Sequence, residues 1–127
     1  MKKAIIILCL AGFVAGVITY QKYNQQRLSQ AIGGWQSKVD MAQLNGKSPD
    51  EVSAFLIRYG ASQEPYTGLK LVHDRNTSYR EGYILAHTRP VVYLLRLPEP
   101  RYYSVQMNFT FDEQNKCTSS YVWSQGS

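Results

Sequence analysis

The 127-residue sequence has few of the residues on which catalysis, metal binding and disulfide scaffolds depend. It contains two cysteines and two histidines, and it lacks any HExxH, GxSxG, P-loop, dinucleotide or CxxC pattern. Two cysteines cannot staple a scaffold, and 44% hydrophobic with 18% charged residues is not the composition of a disordered chain. We therefore expect a globular domain that is not an enzyme and that holds no metal and no cofactor.

Charged residues are missing altogether from residues 4–20, directly after Met-Lys-Lys. As a helix this apolar run reaches about 25 Å, near the lower limit for crossing a bilayer. It forms either an uncleaved anchor or a signal peptide cleaved near Gly16. Tyr20 and Tyr23 lie where interfacial aromatic residues are common, which favours the anchor.

The basic residues at the start predict the orientation of the chain. Lys2 and Lys3 should stay in the cytoplasm under the positive-inside rule, so the rest of the chain is expected to cross the inner membrane into the periplasm. The predicted organisation is a signal anchor or signal peptide over residues 1–24 and a single exported domain over residues 25–127. Cleavage near Gly16 would instead release that domain into the periplasm.

Two helices are predicted ahead of the strands. Apolar residues recur every three or four positions over residues 25–44, but the glycine pair Gly33 and Gly34 predicts a kink or a break. The second helix begins at a capping box formed by Ser48 and Glu51, and Gly60 supplies the left-handed residue that ends it. Its apolar stripe consists of Val52, Phe55, Leu56 and Tyr59.

After Gly60 the hydrophobic period changes to two. Five β-rich runs separated by turn residues are predicted at 69–73, 79–87, 91–97, 102–111 and 117–123. The longest places Tyr103, Val105, Met107, Phe109 and Phe111 on one face. The predicted fold class is α+β, with two helices on one face of a four- to five-stranded antiparallel meander, preceded by an N-terminal membrane helix.

Arginines and tyrosines are interleaved through the strand region, and both residue types anchor protein interfaces. The predicted binding residues are Arg75, Tyr79, Arg80, Arg89, Tyr93, Arg101 and Tyr102. An alternative is that the tyrosines follow β-propensity and that arginine stems cover them. Basic residues are not dense enough for nucleic acid. The predicted partners are another protein and, through residues 4–20, the inner membrane.

Cys117 is the only cysteine after the apolar run. Together with His73 or His87 and Asp74 it would supply the residue types of a nucleophile set, so a thiol-dependent hydrolase is an alternative of a different class. The place of Cys117 among alternating strand residues favours a small, half-buried hydrophobic side chain instead.

A helix that opens with NGKSPDEVSAFL, and strands that end in VQMNFTFDEQNKCTSSYVW, follow the leader and its polar stalk. This order resembles the small bacterial envelope proteins of the SmpA/OmlA type over residues 42–123. The resemblance implies two helices on a short antiparallel sheet and an accessory, non-enzymatic role in outer-membrane assembly. The chain departs from that family in having no lipobox, since Cys9 follows Leu8 inside the apolar run.

These observations predict a non-enzymatic, membrane-tethered extracytoplasmic module that binds another protein. A sharper form of the prediction is an immunity or inhibitor protein against a toxin that reaches the periplasm. The alternative is an accessory factor of envelope or outer-membrane assembly.

Overall fold

The computed structural model describes residues 1–94 and 101–126, and its first element is one long helix. Helix α1 spans Lys2–Ala42 and includes both the apolar run and the polar stalk. Its N-terminal half contains an 18-residue window of mean hydropathy 2.1, none of which is buried, so α1 is long and apolar enough to cross a membrane.

A kink or a break was predicted at Gly33 and Gly34; the break is wrong, because α1 is helical through both glycines. Each glycine costs a helix about 1 kcal/mol relative to alanine. The neighbouring turns carry Ile32 and Trp35, which pack against the hydrophobic core. Tertiary packing on both sides of the pair therefore outweighs the local propensity of the two glycines.

Helix α2 spans Pro49–Arg58 and begins at the predicted capping box. The Ser48 hydroxyl accepts a hydrogen bond from the Glu51 amide at 3.3 Å, and the Glu51 carboxylate accepts one from the Ser48 amide at 3.0 Å. Gly60 follows the helix with a φ of 76°, the left-handed conformation predicted for it. Val52, Phe55 and Leu56 are buried, which confirms most of the apolar stripe, whereas Tyr59 is exposed.

Six antiparallel strands follow in the described residues. They are β1 (Ser62–Gln63), β2 (Lys70–Asp74), β3 (Thr77–His87), β4 (Val92–Leu94), β5 (Arg101–Phe111) and β6 (Cys117–Gly126). Strand β5 is central, because β6 pairs with one of its edges and β3 and β4 pair with the other. Strands β1 and β2 both pair with the far side of β3. The fold is therefore α+β, as predicted.

The order of the sheet differs from a simple meander at β4. The short connection after β3 stays hydrogen-bonded to β5, since the amides of Thr88 and Val91 donate to the carbonyls of Val105 and Tyr103. Strand β4 therefore pairs with the same edge of β5 as β3 does, beyond the end of β3, and does not lie between β3 and β5. Of the strand predicted over 91–97, residues 95–97 lie outside the described residues, and the two-residue β1 was not predicted.

The helices cover one side of the sheet, which we call the inner face. Val105, Met107, Phe109 and Phe111 of β5 are completely buried there. They pack in one cluster with Trp35 and Val39 of α1, Val52 and Leu56 of α2, and Val122 of β6. A smaller cluster joins Leu28 of α1 to Val92 and Leu94 of β4. The predicted alternation of β5 is confirmed.

The packing of α1 also distinguishes the two ends of the sheet. Asn24, close to the apolar run, donates its side-chain amide to the Tyr93 carbonyl at 3.2 Å. At the other end, the Gly46 amide just after α1 donates to the Cys117 carbonyl at 2.7 Å. We call the end of the sheet at Tyr93 the proximal end. The end that carries the β2–β3 and β5–β6 turns is the distal end.

Candidate protein interface

The sheet side that faces away from the helices, called here the outer face, is rich in aromatic residues. Strand alternation and register place six aromatic side chains on it: Tyr79, Tyr83, Tyr93, Tyr102, Tyr121 and Trp123. In the described part of the chain neither helix packs on this face. Tyr102 and Tyr121 are 56% and 66% exposed, so much aromatic surface meets the solvent.

Four of the six aromatic residues of the outer face form two pairs. The rings of Tyr93 and Tyr102, opposite each other on β4 and β5, have centroids 4.7 Å apart. Tyr121 and Trp123, two positions apart on β6, stack with centroids 5.3 Å apart and an interplanar angle of 28°. Pairing of this kind restricts the rings before any partner arrives, which lowers the entropy lost on binding.

The outward positions of β5 and β6 carry no charge. In β5 they are Tyr102, Ser104, Gln106, Asn108 and Thr110, and in β6 they are Ser119, Tyr121, Trp123 and Gln125. A solvated sheet face usually includes lysine or glutamate, whereas the cores of protein interfaces are depleted in charge and enriched in aromatic residues. Tyrosine, tryptophan and small polar residues are also the composition of protein-recognition surfaces in antibodies.

A cavity of about 370 Å³ opens beside this face, where the chain between β1 and β2 passes the edge of β3. It is lined by Glu64, Pro65, Thr67, Gly68, Lys70, Tyr83, Leu85 and Asn108. The side-chain oxygen of Asn108 is buried and, within the described residues, accepts no hydrogen bond. A hydrogen-bond donor from a partner would satisfy this oxygen.

The Tyr83 hydroxyl donates a hydrogen bond to the Glu81 carboxylate beside this cavity. This bond, with smaller contributions from burial and from the Glu81 charge, raises the pKa of Tyr83 to about 12. Tyr83 is therefore a neutral phenol over the whole physiological pH range, so the cavity wall gains no charge from it.

The seven binding residues predicted from the sequence fall into two groups. Arg75, at the β2–β3 turn, lies with Tyr79 and Arg80 towards the distal end. Arg89, in the β3–β4 connection, lies with Tyr93, Arg101 and Tyr102 towards the proximal end. Arg80 and Arg89, the members of the two groups nearest along the chain, are nine residues apart, about 30 Å for extended chain.

Of the five predicted residues that lie in strands, only the tyrosines point to the outer face. Tyr79, Tyr93 and Tyr102 do so, whereas the strand positions of Arg80 and Arg101 place them on the side of the inner face. Tyr121, Trp123 and Asn108 were not among the predicted binding residues. Strand periodicity puts Tyr121 and Trp123 on the same face of β6 without indicating which face, and the sequence contains no signal for the unsatisfied oxygen of Asn108.

Cys117 does not form a nucleophile set with the histidines. It is 2% exposed on the inner face, and burial raises the pKa of its thiol, which disfavours the reactive thiolate. His73 contacts Ser78, which lies about 16 Å from Cys117 by strand register. By the same register His87 lies about 19 Å from Cys117. Across residues 1–94 and 101–126, no group of three or more His, Cys, Asp or Glu side chains could hold a metal ion.

Comparisons with protein-family models, with curated proteins and with solved structures found no match. The resemblance to the SmpA/OmlA type stays a prediction.

Proposed function

We propose that this chain is a membrane-tethered, extracytoplasmic, non-enzymatic module that binds another protein through the outer face of its sheet. The observation that carries the proposal is the uncharged, aromatic surface of β5 and β6. Exposing such a surface to water is unfavourable in free energy, and this composition is common in protein interfaces.

The apolar helix supports the same proposal, as does the fact that the described residues assemble no nucleophile around Cys117. No residue in the apolar window of α1 is fully buried, unlike in the core helix of a soluble protein. The burial of Cys117 and the raised pKa of its thiol favour a structural role over the alternative of a thiol-dependent hydrolase.

Site-specific photocrosslinking from the outer face tests the binding surface in the full chain. A photoreactive phenylalanine analogue at Tyr121 should crosslink one discrete protein, and the same analogue at Ile57 is the matched control. Ile57 is comparably exposed, at 69% against 66%, but lies on α2 away from the outer face. Asn108→Arg, which puts a charge opposite Tyr121 in the register, should abolish the crosslink.

The identity of the crosslinked protein separates the two forms of the prediction. A toxin would support an inhibitor, and a component of an assembly complex would support an accessory factor. Equal crosslinking from Tyr121 and Ile57, or none from Tyr121, would refute the outer face as the interface. A reporter enzyme active only outside the cytoplasm, fused after Ser127, tests the orientation separately.

A further inference from the structure

Helix α1 fixes the height of the sheet above the membrane. Tyr20 ends the apolar run, and Asn24, four residues later, is buried and hydrogen-bonded to Tyr93. Four helical residues rise about 6 Å. Because α1 is continuous between these positions, a bilayer spanned by the run must lie close to the proximal end of the sheet.

The side of α1 that faces the sheet continues down towards the apolar run. Asn24 and Leu28 are buried, and Gln21 and Val17 are half-buried, while most of their neighbours along the helix are exposed. The spacing of these four residues, in steps of three or four, puts them on one helix face. Val17 belongs to the apolar run itself, so the covered side of α1 reaches the level of the lipid interface.

Charge is distributed unevenly between the two ends of the domain. The described parts of the proximal end, residues 17–35, 88–94 and 101–107, contain no acidic residue. The same stretches contain four basic residues: Lys22, Arg27, Arg89 and Arg101. The acidic residues of the described chain occur elsewhere: Asp40, Asp50, Glu51, Glu64, Asp74, Glu81, Asp112 and Glu113.

Aromatic residues accompany these basic ones. Tyr20 and Tyr23 are exposed on α1 at the end of the run, and the Arg27 guanidinium lies 5.9 Å from the centre of the Tyr23 ring. The Tyr93 and Tyr102 pair lies at the same end of the sheet. Tyrosine rings are favoured at the membrane–water boundary, where one end is apolar and the other is hydrated.

We infer that the proximal end is a binding surface for anionic phospholipid headgroups, and that this contact holds the domain in one orientation on the bilayer. The inference rests on the membrane anchoring in the proposed function, but it is independent of the protein partner and of the side of the membrane. Lysine and arginine near an anionic surface each strengthen binding roughly fivefold.

The test uses the full chain with Cys9→Ser in nanodiscs. A fluorescent label on Tyr102→Cys reports contact through quenching by a lipid that carries a nitroxide on its headgroup. Discs of phosphatidylcholine alone are compared with discs that also contain phosphatidylglycerol, at low and high salt. Unsubstituted Cys117 is buried, and the protein without Tyr102→Cys gives its background labelling.

Quenching at position 102 should increase when phosphatidylglycerol is present and fall again in high salt. Replacing Lys22, Arg27 and Arg101 by glutamine should lower the ratio of docked to free domain by about two orders of magnitude. The matched control replaces Lys47, Lys70 and Lys116 by glutamine, which removes equal charge away from the proximal end, and it should keep the increase.

Either of two results would overturn this inference while leaving the membrane anchor intact. One is equal quenching in both lipid compositions, and the other is a control variant that also loses the increase in quenching with phosphatidylglycerol. A chain that does not assemble into discs would refute the membrane anchor itself, and the inference with it. The two failures are therefore distinguishable in one set of samples.

Discussion

The substitution Gly82→Ala should destabilise the protein by about 2 kcal/mol, through a clash with one tyrosine. Gly82 is buried in β3, and the ring of Tyr66 lies against its backbone. A Cβ at this position would be 2.8 Å from Cε2 and 3.0 Å from Cζ of Tyr66. Carbon atoms in contact are normally 3.5–4.0 Å apart, so the ring must move.

The cost follows from what Tyr66 loses when its ring moves. Its hydroxyl donates to the Asn115 side chain at 2.6 Å, a bond that contributes about 1 kcal/mol. Its ring packs edge-on against Phe111 at 5.4 Å, which contributes about another 1 kcal/mol. Phe111 is fully buried, and its partial exposure to solvent would cost about another 1 kcal/mol. The reduced flexibility of the unfolded chain offsets about 0.5–1 kcal/mol of this sum.

Urea unfolding of the full chain in detergent micelles, followed by tryptophan fluorescence, measures the effect. A double-mutant cycle with Tyr66→Ala isolates the clash, because the small side chain leaves room for the new methyl group. In the Tyr66→Ala background Gly82→Ala should be neutral or slightly stabilising. If it costs the same in both backgrounds, the clash with Tyr66 is not the cause and the reasoning fails.

Three other predictions concern stability and titration. Phe55→Ala should cost about 3 kcal/mol because Phe55 is a buried core residue, whereas Ile57→Ala on the exposed side of α2 should stay within about 0.5 kcal/mol in the same urea assay. Gly33→Ala should stabilise the protein by about 1 kcal/mol and so raise its thermal unfolding temperature, because Gly33 is helical and nothing lies where the new methyl group would go. A decrease in that temperature would indicate strain at this site. In an absorbance titration of the phenols, Tyr83 should ionise near its raised pKa of about 12, and Glu81→Gln should return that pKa towards 10.0. Because the folded state favours the neutral phenol, the stability of the protein should fall as the pH rises between these two values.

Local signals were sufficient to predict most of the secondary structure. The capping box at Ser48 and the left-handed Gly60 bound α2 correctly because both depend on residues within a few positions. The alternation in β5 predicted its buried face because one side of the strand packs on the helices. The glycine pair does not end α1, because the contacts that favour the helix on both sides of it come from residues distant in the sequence.

The candidate interface was less predictable than the fold. Arginine and tyrosine composition identified the region, but not which side chains share a surface. The position of β4 beyond β3 decides that Tyr93 meets Tyr102, and this arrangement depends on hydrogen bonds between Thr88 to Val91 and β5. A pattern of single residues cannot specify such register, because pairing partners are far apart in the sequence.

The two proposed contacts together constrain the partner. In the proposed arrangement the proximal end lies at the lipid surface. Trp123 and Tyr121 pair with Gln106 and Asn108, about 13 and 20 Å further along the strands from Tyr102. With the domain held against the bilayer, the central part of the outer face is open to the side but is close to the membrane. A protein that binds there must itself approach within about 20 Å of the lipid. Crosslinking from Tyr121 should therefore depend on the basic residues of the proximal end. The double substitution Lys22→Gln and Arg101→Gln should reduce this crosslinking, although neither residue contacts the partner in the proposed arrangement.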